Sequence, residues 1–190
     1  MQGSSTSPTD PVTTILNLFQ ARGSSEYGGE AVTQEEHALQ AAACAMEDGC
    51  DDAMVAAALL HDIGHLLHDL ADDAPDEGID DHHENSGAAF IEAHFGPEVC
   101  EPVRLHVAAK RYLTATEPGY YEKLSEPSIV SLNLQGGPMS AEEQEAFRAN
   151  PHWESALRLR RYDEEAKIPG ATTPKVEDFA NLLRRLVKAT

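Results

Sequence analysis

The chain is dominated by stretches in which apolar residues recur at intervals of three and four, the period of an amphipathic helix. The first stretch begins at Pro11, ends near Gly23 and carries Val12, Ile15, Leu16, Leu18 and Phe19. No stretch alternates apolar and polar residues with the period of two that marks a half-buried strand. The pattern therefore predicts an all-α fold, a single-domain helical bundle.

Capping residues in the sequence locate the starts of the next two helices. Thr33 with Glu36 three residues later has the pattern of a capping box, which satisfies free backbone N–H groups at a helix start. Asp51 or Asp52 precedes the following helix, in which the run from Met54 to Leu60 is apolar on nearly every side. A helix that is apolar all round has to be buried, so we expect this one to be the central helix of the bundle.

The second half of the chain predicts further helices separated by turn-rich segments. Leu70 to Asp81 is predicted to be a loop, and Thr116 to Pro138 to be irregular with short helical pieces. Ser140 and Glu143 form a second candidate capping box. The predicted helices run over 83–96, 97–113 with an interruption at Pro102, 141–147, 153–163 and 175–188.

Composition adds constraints on location and partners. The 190 residues suit one domain, with residues 1–10 as a disordered leader and 11–190 as the folded part. Acidic residues outnumber basic ones by 33 to 14, a formal net charge of −19 that repels nucleic acids and anionic membranes. The chain has no long apolar run, no secretory signal pattern and only three cysteines. We expect a cytoplasmic protein without an obligate protein partner.

The stretch AALLHDIGH, Ala57 to His65, sets two histidines and an aspartate against the end of the apolar helix. Polar groups at a buried position need partners that replace lost water. Further candidate ligands lie on other predicted helices: His37, His83, His106 and Asp163. Imidazole and carboxylate ligands suit one or two divalent or trivalent ions. His82 is an alternative to His83, which we prefer because it begins the helical period.

The order H…HD…H…H…D resembles the HD-domain superfamily of helical metalloproteins. The resemblance covers roughly Tyr27 to Asp163, and the two additional histidines between the HD pair and the last aspartate indicate a dinuclear site. It implies that Asp62 bridges two ions. The implied ligands of one ion are His37, His61 and Asp163, and those of the other are His83 and His106.

Three further segments are similar to the small HD-domain oxygenases that cleave the C–P bond of 1-hydroxyalkylphosphonates. They are EYGGEAVTQEEH (26–37), HVAAKRYL (106–113) and LQGGPM (134–139). The resemblance implies two iron ions as Fe²⁺/Fe³⁺, O₂ as co-substrate, no organic cofactor and a small phosphonate substrate. A metal-dependent phosphohydrolase and a non-catalytic HD module are the alternatives, because the metal ligands alone do not decide between them.

The resemblance also implies roles around the substrate. Lys110 follows His106 by one helical turn, so its ammonium is expected on the face that carries the metal. Arg160, Ser128 and Ser131 are expected as secondary phosphonate contacts, and His65 as a hydrogen-bond donor to the substrate. Tyr27 is expected to occupy an open iron position until substrate displaces it, and Glu30 to face the substrate nitrogen.

Gly28 bears on the nitrogen substituent. Primary-amine enzymes of this family carry a bulky aliphatic residue before a single glycine, whereas this chain has Gly28-Gly29. The extra space favours (R)-1-hydroxy-2-(trimethylammonio)ethylphosphonate, cleaved to glycine betaine and phosphate. The alternatives are (R)-2-amino-1-hydroxyethylphosphonate, cleaved to glycine and phosphate, and a loop glycine with no bearing on specificity.

Overall fold

A computed structural model describes residues 10–68 and 78–189 of the chain. Most of the predicted leader therefore lies outside the described residues, as does the predicted loop from Leu70 as far as residue 77. The division into a leader and one folded domain stays a prediction.

The described residues form helices and no β-strand, which confirms the all-α prediction. Two isolated bridges, Glu26 with Thr33 and Phe95 with Val187, are the extended pairings in this part of the chain. The α-helices are α1 (Pro11–Arg22), α2 (Gln34–Glu47), α3 (Asp52–Leu60), α4 (His83–Glu92), α5 (Pro97–Thr116), α6 (Glu126–Leu134), α7 (Ala141–Arg148), α8 (Trp153–Glu165) and α9 (Ala180–Leu186). Short 3-10 helices span Ile63–Leu67, Tyr121–Lys123 and Val176–Phe179.

The helix starts follow the predicted caps. Thr33 accepts the Glu36 backbone N–H at 3.2 Å and the Glu36 carboxylate accepts the Thr33 N–H at 2.8 Å, so both halves of the capping box form. Of the two candidates before α3, Asp51 is the cap, since its side chain accepts the Met54 N–H at 2.9 Å. Each such cap stabilises its helix by about 1 kcal/mol.

Helix α3 is the centre of the bundle, as its sequence predicts. Every residue from Met54 to Leu60 is buried, and α3 packs against α2, α5, α8 and α9. Full burial of a leucine such as Leu59 or Leu60 contributes roughly 1.5–3 kcal/mol, so this helix contributes strongly to the core. Its carboxyl end, where His61 and Asp62 follow, is thereby fixed in the interior.

Several boundaries differ from the prediction. Pro102 does not interrupt α5, which is continuous over 20 residues. Pro102 is the sixth residue of α5, so the hydrogen bond it cannot make would reach back to Glu98 in the first turn, where few bonds are lost. Helix α4 ends at Glu92 rather than near Gly96, and the terminal helix begins with a 3-10 turn at Val176.

The segment predicted to be irregular with short helical pieces contains one nine-residue helix, α6. Ser125 caps it by accepting the Ser128 N–H at 3.3 Å, and Pro127 lies in its first turn, where proline is tolerated. Its sequence lacks a clear apolar period, so periodicity did not reveal it. None of the described helices combines the length and apolar character that crossing a bilayer requires.

Candidate metal centre

Six side chains from five helical segments meet in the interior, beside the end of α3. Each of these residues is at most 8 % exposed. They are His37 from α2, His61 and Asp62 directly after α3, His83 at the start of α4, His106 from α5 and Asp163 from α8. These are the six residues that the sequence singles out as metal ligands.

Asp62 separates two pairs of imidazoles. Its Oδ2 atom lies 3.3 Å from His37 Nε2 and 3.2 Å from His61 Nε2. Its Oδ1 atom lies 3.3 Å from both His83 Nε2 and His106 Nε2. Each carboxylate oxygen therefore faces a different pair, which is the arrangement of a carboxylate that bridges two ions.

Asp163 completes the pair formed by His37 and His61. Its Oδ1 atom lies 3.4 Å from His37 Nε2 and 3.9 Å from His61 Nε2. Its Oδ2 atom accepts a hydrogen bond from Arg160, which fixes the carboxylate from behind. Each of the two aspartates thus places one oxygen atom near the same histidine pair.

All four imidazoles present Nε2 to the interior because Nδ1 is held elsewhere. The Nδ1 partners are the carbonyl oxygens of Ala166 for His37, Ala58 for His61 and Val103 for His106, and the Asp81 carboxylate for His83, at 2.7–2.8 Å. An N–H at Nδ1 leaves the Nε2 lone pair free for a metal. The neighbouring Nε2 atoms lie 3.0 Å apart in one pair and 3.2 Å apart in the other.

This donor set fits two metal ions. Two neutral imidazoles of that tautomer cannot hydrogen-bond through facing lone pairs, and neither oxygen of Asp62 has a hydrogen-bond partner among the described residues. Burial raises the pKa of Asp62, but the surrounding imidazoles outweigh it and hold that pKa well below its usual range. A buried carboxylate between unpaired nitrogen donors is stabilised by cations at both oxygens.

In the absence of metal, protons on the histidines stabilise the buried carboxylates in part. Burial lowers the pKa of His37, but the neighbouring Asp163 and Asp62 outweigh it and raise this pKa to about 9. For His83, Asp62 and Asp81 likewise outweigh burial and raise the pKa to about 10. One proton for each histidine pair is therefore the metal-free alternative to an ion.

A close backbone approach positions the second pair. A Cβ atom on Gly64 would lie 2.0 Å from the His83 carbonyl oxygen, so only glycine lets the Ile63–Leu67 turn pack against the start of α4. Gly87 on α4 contributes to the same close contact, since a Cβ atom there would lie 3.0 Å from the Gly64 nitrogen. This approach brings His83 up to Asp62.

Of the two candidate histidines, the structure brings His83 to the cluster. His82 has a left-handed backbone, with φ of 50°, and a side chain that is 68 % exposed beside Asp80. The interior position of His83 agrees with the preference based on helical period. That His83 binds a metal stays a prediction.

Sequence reasoning missed Asp81, which connects three histidines. Its Oδ1 atom accepts from His83 Nδ1 at 2.8 Å, and its Oδ2 atom lies 2.7 Å from His65 Nδ1 and 2.9 Å from His68 Nε2. The His65 ring stacks on the His83 ring with centroids 4.0 Å apart. In an acidic loop, nothing in the sequence distinguishes Asp81 from Asp80.

A cavity of about 530 Å³ opens beside the cluster, next to His83, His106 and Asp163. Its walls come from the loop before α2, from α5 and α6, and from the end of α8. All the residues expected around a substrate line it: Tyr27, Gly28, Glu30, His65, Lys110, Ser128, Ser131 and Arg160.

One wall of the cavity is cationic. Lys110 is 4 % exposed, and its Nζ donates to Ser131 Oγ at 2.8 Å. Burial, with Arg160 and Lys167 nearby, lowers the pKa of Lys110 to about 7. The buried Arg160 Nη2 has no hydrogen-bond partner among the described residues. An anionic group in the cavity would satisfy both cations.

Tyr27 closes the cavity over the first histidine pair. Its ring stacks on His37 with centroids 3.8 Å apart, and its hydroxyl lies 3.5 Å from Asp163 Oδ1. Burial, followed by the charges of Asp163 and Asp62, raises the pKa of Tyr27 well above its usual value, so the phenol is neutral.

Glu30 is already paired. Its Oε1 atom accepts from Lys167 Nζ at 2.8 Å and from Ser125 Oγ at 2.5 Å. These two donors outweigh burial, which raises the pKa of Glu30, and the net pKa is lowered. Lys167 was missed because it lies between the predicted helices 153–163 and 175–188, where no sequence pattern marks a functional residue.

Gly28 and Gly29 both have a left-handed backbone, with φ of 46° and 79°. Glycine is favoured there whatever the substrate is. A Cβ on Gly28 would meet no atom within 4 Å, and Gly28 lines the cavity. The loop geometry and the space for a substituent are therefore both sufficient reasons for this glycine.

Comparisons with known proteins agree with this geometry. The family model for the HD domain matches residues 35–150. The glycine-betaine-forming [1-hydroxy-2-(trimethylamino)ethyl]phosphonate dioxygenase of Leisingera caerulea is 44% identical over 173 residues, 91% of this chain and 88% of the relative.

Two further relatives are similar over nearly the same length. Hydroxymethylphosphonate dioxygenase of Gimesia maris is 42% identical, over 92% of this chain and 87% of the relative. An uncharacterised protein of Acanthamoeba polyphaga mimivirus is 37% identical, over 90% of this chain and 80% of the relative. The chain belongs to the HD-domain family, in the branch that contains these two phosphonate dioxygenases.

Proposed function

We propose that the chain is a diiron dioxygenase that cleaves (R)-1-hydroxy-2-(trimethylammonio)ethylphosphonate to glycine betaine and phosphate. One substrate molecule with a doubly deprotonated phosphonate, net charge −1, and one O₂ give one betaine, one HPO₄²⁻ and one proton. The carbon that bears the hydroxyl loses its C–H and C–P bonds and supplies the four electrons that reduce O₂. The observation that carries the proposal is Asp62 between two histidine pairs beside a cation-lined cavity.

The proposed ligands divide between two iron ions bridged by Asp62. His37, His61 and Asp163 would hold one ion, and His83 and His106 the other. An Fe²⁺/Fe³⁺ pair would supply a Lewis acid for the substrate hydroxyl and a redox centre for O₂. The second set offers fewer protein ligands and faces the cavity, which leaves room for small exogenous ligands.

The substrate anion is proposed to bind the cationic wall. Lys110 and the unpaired Nη2 of Arg160 would contact phosphonate oxygens, and the hydroxyls of Ser128 and Ser131 would donate to them. Charge-assisted hydrogen bonds of this kind are about twice as strong as neutral ones, so they orient the C–P bond toward the metal ligands.

The remaining side chains are proposed to act on the other end of the substrate. Glu30 would face the quaternary nitrogen, which has no N–H donor, so this contact would depend on charge and not on a hydrogen bond. Tyr27 would leave its place beside Asp163 when the substrate hydroxyl arrives, and His65 would donate a hydrogen bond to the substrate. Aligning the substrate in this way lowers the entropic part of the barrier.

A phosphohydrolase with redox-inert metals would use the same ligands, so the donor set alone does not exclude it. Oxygenase chemistry is favoured because both named relatives are dioxygenases at more than 40% identity over nearly the whole chain. The trimethylated substrate is favoured over the primary amine by the relative that is 44% identical and by the space beside Gly28.

The proposal is tested with iron-loaded protein and three substrates: the trimethylammonio, the amino and the unsubstituted hydroxymethyl phosphonates. We expect O₂ uptake and phosphate release in a ratio of one to one, fastest with the trimethylammonio compound. Phosphate release that continues without O₂ would contradict the oxygenase and favour the hydrolase. Faster turnover of the amino compound would contradict only the choice of substrate.

A cytoplasmic location and the absence of nucleic acid, membrane or obligate protein partners remain part of this proposal. They are supported by the net charge of −19 and by three cysteines that are free thiols. Fractionation of cells, with the protein followed by antibody, tests the location.

A further inference from the structure

We infer that Lys167 is a specificity-determining residue: by neutralising Glu30 it lets the cavity accept 1-hydroxyalkylphosphonates that carry no cationic group. This inference rests on the proposed function and extends its substrate class. The contact that carries it is the ion pair between Lys167 Nζ and Glu30 Oε1, 2.8 Å long, on the cavity wall.

The pair is held in place by its surroundings. Lys167 Nζ also donates to Ser128 Oγ at 3.0 Å and to Ser125 Oγ at 3.3 Å, while its ammonium lies 5.7 Å from the centre of the Tyr27 ring. Both side chains are mostly shielded, with 16% and 15% of their surfaces exposed. At this depth, solvent screens the charges less than at an open surface, so the pairing affects what binds beside it.

The consequence depends on the charge of the substrate. A bare Glu30 would repel a phosphonate dianion and would attract a substrate with a quaternary nitrogen, which brings its own compensating charge. With Lys167 in place, a substrate without that cation leaves no carboxylate unpaired. Lys167 therefore lowers the preference for cationic substrates instead of contributing equally to the binding of all of them.

Its position also distinguishes Lys167 from the phosphonate-binding wall. Lys110 donates to Ser131 and has no carboxylate partner among the described residues, so its charge is available to an anion. Lys167 contacts Ser128, which lies three residues before Ser131 on the same face of α6. Its ammonium, however, is paired with the Glu30 carboxylate. The two lysines thus contact the same face of α6, but the charge of Lys110 is available to the substrate anion and the charge of Lys167 is neutralised by Glu30.

The test compares the equilibrium binding of two probes to iron-loaded protein under argon. The probes are hydroxymethylphosphonate and 1-hydroxy-2-(trimethylammonio)ethylphosphonate. In Lys167→Gln we expect the preference for the cationic probe to rise by about tenfold or more, because Glu30 is left unpaired. Lys167→Arg keeps the charge and is expected to preserve the wild-type preference. Glu30→Gln is expected to reduce the preference, and the double variant to lie near Glu30→Gln.

Each outcome decides the question. An equal loss of affinity for both probes in Lys167→Gln would make Lys167 a phosphonate ligand and overturn the inference, as would an unchanged preference in Glu30→Gln. If Lys167→Gln fails to fold, Lys167→Met, which also removes the charge, takes its place in the same comparison. Since binding is measured without turnover, a wild type that releases no phosphate refutes the proposed function and leaves this test standing.

Discussion

Asp81 and His83 are joined through the ring nitrogen that faces away from the metal centre, with His83 Nδ1 2.8 Å from Asp81 Oδ1. A carboxylate in this place fixes the tautomer and the orientation of a ligand histidine. We predict that Asp81→Asn weakens binding of one of the two iron ions by roughly 10- to 100-fold while the helices stay folded. Anaerobic iron titration, read as ions bound per chain, measures this effect.

Asp80→Asn is the matched control for that variant. Asp80 is its chain neighbour, but its nearest histidine, His82, is exposed. Asp80→Asn is therefore expected to bind both ions as the wild type does. Equal iron affinities in Asp81→Asn and wild type would show that Asp81 has no influence on the centre.

The adjacent histidines supply a second prediction. His83→Ala removes a proposed ligand whose Nε2 lies 3.3 Å from Asp62 Oδ1, whereas His82→Ala removes an exposed side chain. We expect His83→Ala to bind one ion instead of two and to lose turnover, with an unchanged circular dichroism spectrum. His82→Ala is expected to keep both ions. Full activity in His83→Ala, with loss in His82→Ala, would move the ligand to His82.

The parts of this site that the sequence predicts are those with strong local signals. Helix α3 is apolar all round, so its depth is evident, and His61 and Asp62 directly follow it. The other proposed ligands could be predicted because their order along the chain resembles a known family. A helix that is apolar all round has to be interior, and a polar residue held at its end needs a partner that replaces lost water.

Asp81 and Lys167 show why the rest was not predictable. Lys167 contacts Glu30, which lies 137 positions away in the chain. Asp81 lies beside Asp80 in an acidic loop, so nothing in the sequence distinguishes the two. An aspartate in an acidic loop and a lysine between two predicted helices have no periodicity that marks them. The bounds of helix α6 were not predictable for a related reason, since several of its residues line the cavity instead of packing in the core.

The protonation of the metal-free centre yields a third prediction. The pKa of His37 is raised to about 9 and that of His83 to about 10, so both carry a proton at neutral pH unless metal is bound. Binding two ions should therefore release about two protons, and the affinity for each ion should fall about tenfold for each pH unit below 9. Anaerobic calorimetry of Fe²⁺ binding in buffers of different ionisation enthalpy counts these protons. Binding without proton release would contradict the assignment.

Lys110 makes phosphonate recognition sensitive to alkali. Because burial, Arg160 and Lys167 lower its pKa to about 7, the ammonium is present below that pH and lost above it. In the iron-loaded enzyme we therefore predict that kcat/KM falls as the pH rises through about 7, since this ratio reports groups of the free enzyme. Arginine stays protonated across this range, so Lys110→Arg should remove the fall even if its activity is lower. A decline that persists unchanged in Lys110→Arg would assign the titration to another group and leave Lys110 charged throughout.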